Sequence, residues 1–157
     1  MSAQPSTAAD RWSQLSRSEL TGLGKTTVRE RLESLGCTVT MPGSLIDGRL
    51  EVQTRSGRSL EVFVSTQRVG GYAFWTQRRL PPASDRFAAV VLLADADDPS
   101  VYVVPSTDWR DASPPLKNRP NIGKKSEPEF GISLARSSLA ALARYSWDAG
   151  STKEHFR

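Results

Sequence analysis

One cysteine and one histidine are all that these 157 residues offer to thiol and imidazole chemistry. The lone Cys37 excludes an intrachain disulfide and a cysteine-based metal cluster. The lone His155 leaves no second imidazole for a multi-histidine metal site and argues against Ser-His-Asp and Cys-His nucleophile systems. Any metal would have to be held by carboxylates. Long apolar runs are missing too. The longest, residues 87–94, falls far short of the roughly 20 residues that span a bilayer, and the mean hydropathy is -0.42. No membrane association is expected. Residues 1–10 are polar and hold no apolar signal core, so the expected location is the cytoplasm. Neither sign of charge dominates. Lys and Arg total 21 against 17 Asp and Glu, a net charge of +4, yet the isoelectric point is about 9.6. The small net charge fits an ordinary globular protein and the basic isoelectric point fits a nucleic-acid binder.

The length is that of one domain. Residues 1–17 read as a disordered segment, 18–147 as the domain, and 148–157 as a polar tail in which His155 is also disordered. Leu20, Leu23, Val28, Leu32 and Leu35 recur at helical spacing and are stopped by Gly36, which predicts a helix over 18–35. Strands are predicted at 37–41, 49–54, 59–66, 72–77, 87–94 and 101–104. The second and third form a hairpin around Arg55-Ser56-Gly57-Arg58. The stretch 87–94 is apolar throughout, as a strand buried on both faces must be. An acidic turn follows at 95–100. One helical turn is expected at 106–112, capped by Ser106 or Thr107. Residues 113–131 are Pro-rich, basic and without periodicity, which reads as a long loop. A helical stripe runs from Leu134 to Tyr145. Helix, strands, then helix predict an α/β (α+β) class: a single domain with a mixed central sheet flanked by helices.

The run Gly22-Leu23-Gly24-Lys25-Thr26 looks like part of a phosphate loop. That motif needs a glycine where Glu19 stands and a preceding strand where 11–18 is polar. It reads instead as an ordinary helical turn. The segment from Arg49 to Gln77 says more. A hairpin leads into V-x-V-x-T (Val62, Val64, Thr66), then Gly70-Gly71, then the aromatic strand Tyr72-Ala73-Phe74-Trp75. Together with Leu32 to Gly36, Val39 to Pro42, Val101 to Pro105 and 124–134, this resembles the PD-(D/E)XK nucleases, in particular their small restriction-like and resolvase-like branch. The resemblance covers about 18–145 and implies a restriction-endonuclease-like fold, a nucleic-acid partner (DNA foremost) and, since many relatives pair, a homodimer.

In that family an Asp and a Glu or Gln bind a divalent metal, and a Lys two residues further on serves the attacking water. Laying the hairpins together puts Arg49 at the Asp position, Phe63 at the Glu/Gln position and Ser65 at the Lys position. Phenylalanine cannot ligate a metal and arginine repels one. The resemblance therefore implies a nuclease fold without its chemistry, no cofactor, and retained binding. A rescued site is the alternative. Strand parity puts Asp47 and Glu51 with Arg49, and Glu61 with Phe63, so Asp47 or Glu51 with Glu61 could hold magnesium in an active endonuclease. Otherwise Glu51 and Glu61 are solvent-facing hairpin charges paired with Arg49, Arg55 or Arg58. A third reading is a protein-interaction module on the same fold.

Basic residues gather in two places. Arg49, Arg55, Arg58, Arg68, Arg78 and Arg79 lie on or beside the hairpin and aromatic strand. Lys117, Arg119, Lys124 and Lys125 crowd the 113–131 segment. Arg68, Lys117, Arg119, Lys124 and Lys125 are the candidate phosphate contacts; the alternative is a solvated charged surface. Tyr72, Phe74, Trp75, Trp109 and Trp147 either stack on unpaired bases or fill the core, with core expected for at least one face of the aromatic strand. Cys37 reads as a small buried hydrophobe.

Overall fold

The computed structural model describes residues 8–42, 48–94 and 98–157. Asp47 and the first part, 95–97, of the acidic turn expected at 95–100 lie outside the described residues, and Ser100 already belongs to a strand. The first helix, α1 (Ala8–Ser13), precedes α2 (Arg17–Ser34). Ser16 caps α2 reciprocally: its hydroxyl accepts from the Glu19 amide, and its own amide donates to the Glu19 carboxylate. Hydrogen bonding from the Ser16 side chain, and then from the Ser16 amide, lowers the Glu19 carboxyl from its ordinary value.

Five strands form the main sheet: β1 (Thr38–Thr40), β2 (Arg49–Gln53), β3 (Ser59–Arg68), β5 (Arg86–Leu93) and β6 (Ser100–Pro105), in the order β1-β2-β3-β5-β6. All neighbours are antiparallel except β3 and β5, which run parallel. A smaller sheet of order β4-β8-β7 comprises β4 (Tyr72–Thr76), β8 (Glu129–Ser133) and β7 (Leu116–Arg119). The mixed α/β class and the mixed sheet are therefore as expected. The chain between β3 and β5 crosses over through β4 rather than through a helix.

The middle of the main sheet, around β5, is buried on both faces. On one, Val62, Val64, Ala89 and Val91 pack with Val28 and Leu32 of α2. On the other, Phe63, Ala88, Val90 and Leu92 pack against Ala73, Trp75, Phe130 and Ile132 of the smaller sheet. Alternate residues of β5 thus enter different cores, which is why its sequence shows no alternation. Helix α2 lies close on the sheet because Gly24 has no side chain: a Cβ there would stand 1.9 Å from Thr66 Oγ1.

Several expectations are corrected. Residues 8–17 are ordered into α1 and the start of α2, and Trp12 Nε1 donates to the Ala94 carbonyl at 3.1 Å. The 113–131 segment is a β-hairpin rather than a loop, because β7 borrows its order from β8. The segment 106–112 is a 3-10 helix (Ser106–Asp111) without a side-chain cap. The Ser106 hydroxyl instead bonds both the amide and the carbonyl of Ala83. The helical stripe breaks into two 3-10 turns around α3 (Leu139–Leu142), with Leu134, Leu142 and Tyr145 still buried. The 148–157 tail carries α4 (Gly150–Glu154). It sends Phe156 fully into the core, 5.0 Å from the Phe87 ring, while the His155 ring lies 5.2 Å from Phe87. Cys37 is buried, as expected, and its thiol donates to the Phe156 carbonyl at 3.3 Å. No helix among the described residues is long and apolar enough to cross a membrane.

Candidate nucleic-acid interface

The β2–β3 register sets Arg49 opposite Phe63 and Glu51 opposite Glu61. Phe63 is buried in the core between the sheets. The Arg49 guanidinium lies 3.7 Å from the Glu51 carboxylate and 3.9 Å from that of Glu61. One guanidinium is therefore shared by two of the carboxylates considered for a rescued metal site, and the third, Asp47, is outside the described residues. These pairs are half-exposed, so each is worth well under about 1 kcal/mol. Their effect is on local charge rather than on stability. Among the described residues no three His, Cys, Asp or Glu side chains are grouped to hold a metal ion.

Beside Arg49 the surface opens into a cleft of about 370 Å3, lined by Arg49, Glu61, Phe63, Arg78, Arg79, Pro81 and Arg86. Four arginines face one carboxylate there. Their convergence follows from the topology. Arg78 and Arg79 follow β4, Arg86 opens β5, and Arg49 opens β2, so strand ends far apart in sequence meet at one edge. The Arg79 guanidinium stands 5.9 Å over the Phe63 ring, and Arg78 pairs with Glu127 at 3.3 Å. Phe63 thus gives an arginine an apolar base.

Arg79 also lines a second and larger cleft, of about 830 Å3, with Arg17, Arg68, Ser65, Thr66 and Phe74 among its walls. The two clefts share Arg79 and follow β3, the first at Glu61 and Phe63 and the second from Val64 to Arg68, and together they make up a basic groove. Arg68, a predicted contact, lies in it and donates to the Trp12 carbonyl, which ties α1 to the groove's wall. Lys117 and Arg119 lie on β7. The Arg119 guanidinium sits 4.5 Å over the Tyr72 ring, with Lys117 Nζ at 6.0 Å. Lys124 and Lys125 are exposed on the turn from β7 to β8, at the end where Glu127 meets Arg78. Arg68 thus joins the groove, Lys117 and Arg119 join Tyr72, and Lys124 and Lys125 stand on the hairpin tip.

Arg17 and Arg86 were not singled out by the sequence. The signal that would have found Arg86 is an arginine opening an otherwise apolar strand. Arg17 carries none, since it follows a helix cap like any surface residue. Of the aromatic residues, Trp75, Trp109 and Trp147 belong to the core, whereas Phe74 is 56% exposed. Searches of known protein families, curated proteins and solved structures find no match to this chain.

Proposed function

We propose that this chain is a cytoplasmic protein that grips the phosphate backbone of nucleic acid, DNA foremost, without cutting it. The reading combines the resemblance to a restriction-endonuclease-like frame with the residues at its metal positions, Arg49 and Phe63, and at its lysine position, Ser65. The observation that carries it is the groove in which Arg49, Arg78, Arg79 and Arg86 converge and which Arg79 continues toward Arg17 and Arg68. A nuclease of that family uses carboxylates and a metal to hold the scissile phosphate. Guanidinium groups bind the same oxygens, often two at a time, and activate no water. The function needs no metal.

The test is affinity for duplex DNA against salt concentration, with a magnesium nicking assay beside it. Each phosphate contact steepens the slope by roughly 0.9 log units on duplex DNA. Replacing Arg79 and Arg86 by Ala should weaken all sequences alike and flatten the slope by up to about two. Magnesium should produce no nicks. Cleavage that disappears in Glu61→Ala would overturn the reading in favour of a rescued endonuclease. Salt-independent binding, or none, would favour the protein-interaction module.

A further inference from the structure

The outer face of the smaller sheet carries rings and cations that a duplex backbone does not require. Tyr72 and Phe74 lie on that face of β4, with ring centroids 6.3 Å apart and planes 19° apart. Their alternates Ala73 and Trp75 are buried. Across the sheet, the register aligns Phe74 with Gly131 and Gly131 with Lys117. Gly131 makes the arrangement possible. A Cβ there would stand 1.7 Å from the Tyr72 hydroxyl oxygen, so only glycine lets the Tyr72 ring lie across β8 toward β7. On β7 that ring meets Arg119 at 4.5 Å and Lys117 at 6.0 Å. Phe74 is the ring of the pair left open, 56% exposed and on the wall of the larger cleft beside Arg17, Arg68 and Arg79.

We infer that this face is a stacking platform for an unpaired nucleic-acid strand. An unpaired base would lie on Phe74, backed by Tyr72, while Lys117 and Arg119 on one side and the groove arginines on the other take the flanking phosphates. Bases inside a duplex cannot reach a ring on a sheet face, whereas an unpaired base can. An exposed aromatic ring with cations on both sides suits a ligand that alternates apolar planes with negative charge. The inference rests on the nucleic-acid reading above and adds the form of the strand.

The test uses the full chain and fluorescence anisotropy, with labelled oligo(dT) of about 16 nucleotides, near the upper site size of single-strand binders, and a hairpin duplex of similar length. The single strand should bind more tightly. Phe74→Ala should weaken single-strand binding by roughly 5- to 150-fold, the range expected for loss of one base–aromatic stack, and weaken duplex binding far less. Phe74→Trp should keep the affinity. Phe74 is exposed, so neither variant threatens folding, which circular dichroism checks. Duplex binding as tight as single-strand binding, or an equal or absent effect of Phe74→Ala on the two, would overturn the platform while the nucleic-acid reading stands. If neither form binds at low salt, both fall, and the face is left to an acidic protein segment.

Discussion

Gly24 is where a single missing side chain sets the distance between helix and sheet. An alanine there gains about 1 kcal/mol of helix propensity but drives a methyl into Thr66 Oγ1, 1.9 Å from the Cβ position. Overpacking of this kind costs about 1–3 kcal/mol, so Gly24→Ala should lower the denaturation midpoint. The Thr66 hydroxyl is buried without a hydrogen-bond partner, so Thr66→Ala alone gives up no bond. In that background Gly24→Ala should cost less, while the contacts of the new Cβ with the residue-66 Cβ at 3.2 Å and Val64 Cγ1 at 3.3 Å remain. A double-mutant cycle by urea denaturation reads the reduced cost, and additive effects would refute the contact. His155 makes a second residue-scale case. Burial, first, holds its imidazole below the ordinary value; Arg58 adds to this and Asp108 opposes it. The unfolded chain then binds the proton more readily than the folded one, so stability is fully present above about pH 6.5, the ordinary imidazole value, and is lost as pH falls below it. Wild type should therefore lose more stability than His155→Gln between pH 7.5 and 5.5, both taken as about one unit either side of that value. Equal losses would remove His155 from the account.

Elements differ in how much of their order they carry in their own residues. Helix α2 was legible because its apolar spacing repeats over several turns, and strand β5 because its apolar run is unbroken. The β2–β3 hairpin was legible because both of its strands alternate. Strand β7 has one apolar residue, Leu116, followed by Lys117, Asn118 and Arg119. Nothing in those four residues specifies a strand until β8 pairs with them. Helices α1 and α4 escaped notice because single residues anchor those segments, Trp12 and Phe156, and one residue has no period. The groove was half legible. Its arginines were visible as a cluster, but which of them converge depends on where the strand ends meet. The β7–β8 hairpin also makes its own prediction, since its tip presents Lys124 and Lys125 as a unit. If that tip reaches phosphates, Lys124→Ala with Lys125→Ala should flatten the salt slope on duplex DNA by about two, independently of Arg79 and Arg86. An unchanged slope would confine binding to the groove.

At the scale of the whole molecule, two cores share one sheet, and the last described residues close the first of them. Phe156 is fully buried between Trp147 and Phe87. Phe156→Ala should cost about 3–5 kcal/mol, measured by thermal or urea unfolding. A loss below about 0.5 kcal/mol, the level of an ordinary surface change, would show the C-terminal segment to be an accessory. The crossover through β4 has a consequence for how the chain comes to be made. The five-stranded sheet is complete in sequence by Pro105, yet β4 waits for β8, which begins at Glu129. A chain emerging from the ribosome at 5–20 residues per second therefore passes through a stage, lasting on the order of seconds, with Trp75 and one edge of β4 uncovered. That stage is the time at which a holding chaperone would find the protein, and at which slowed synthesis between these strands would cost yield.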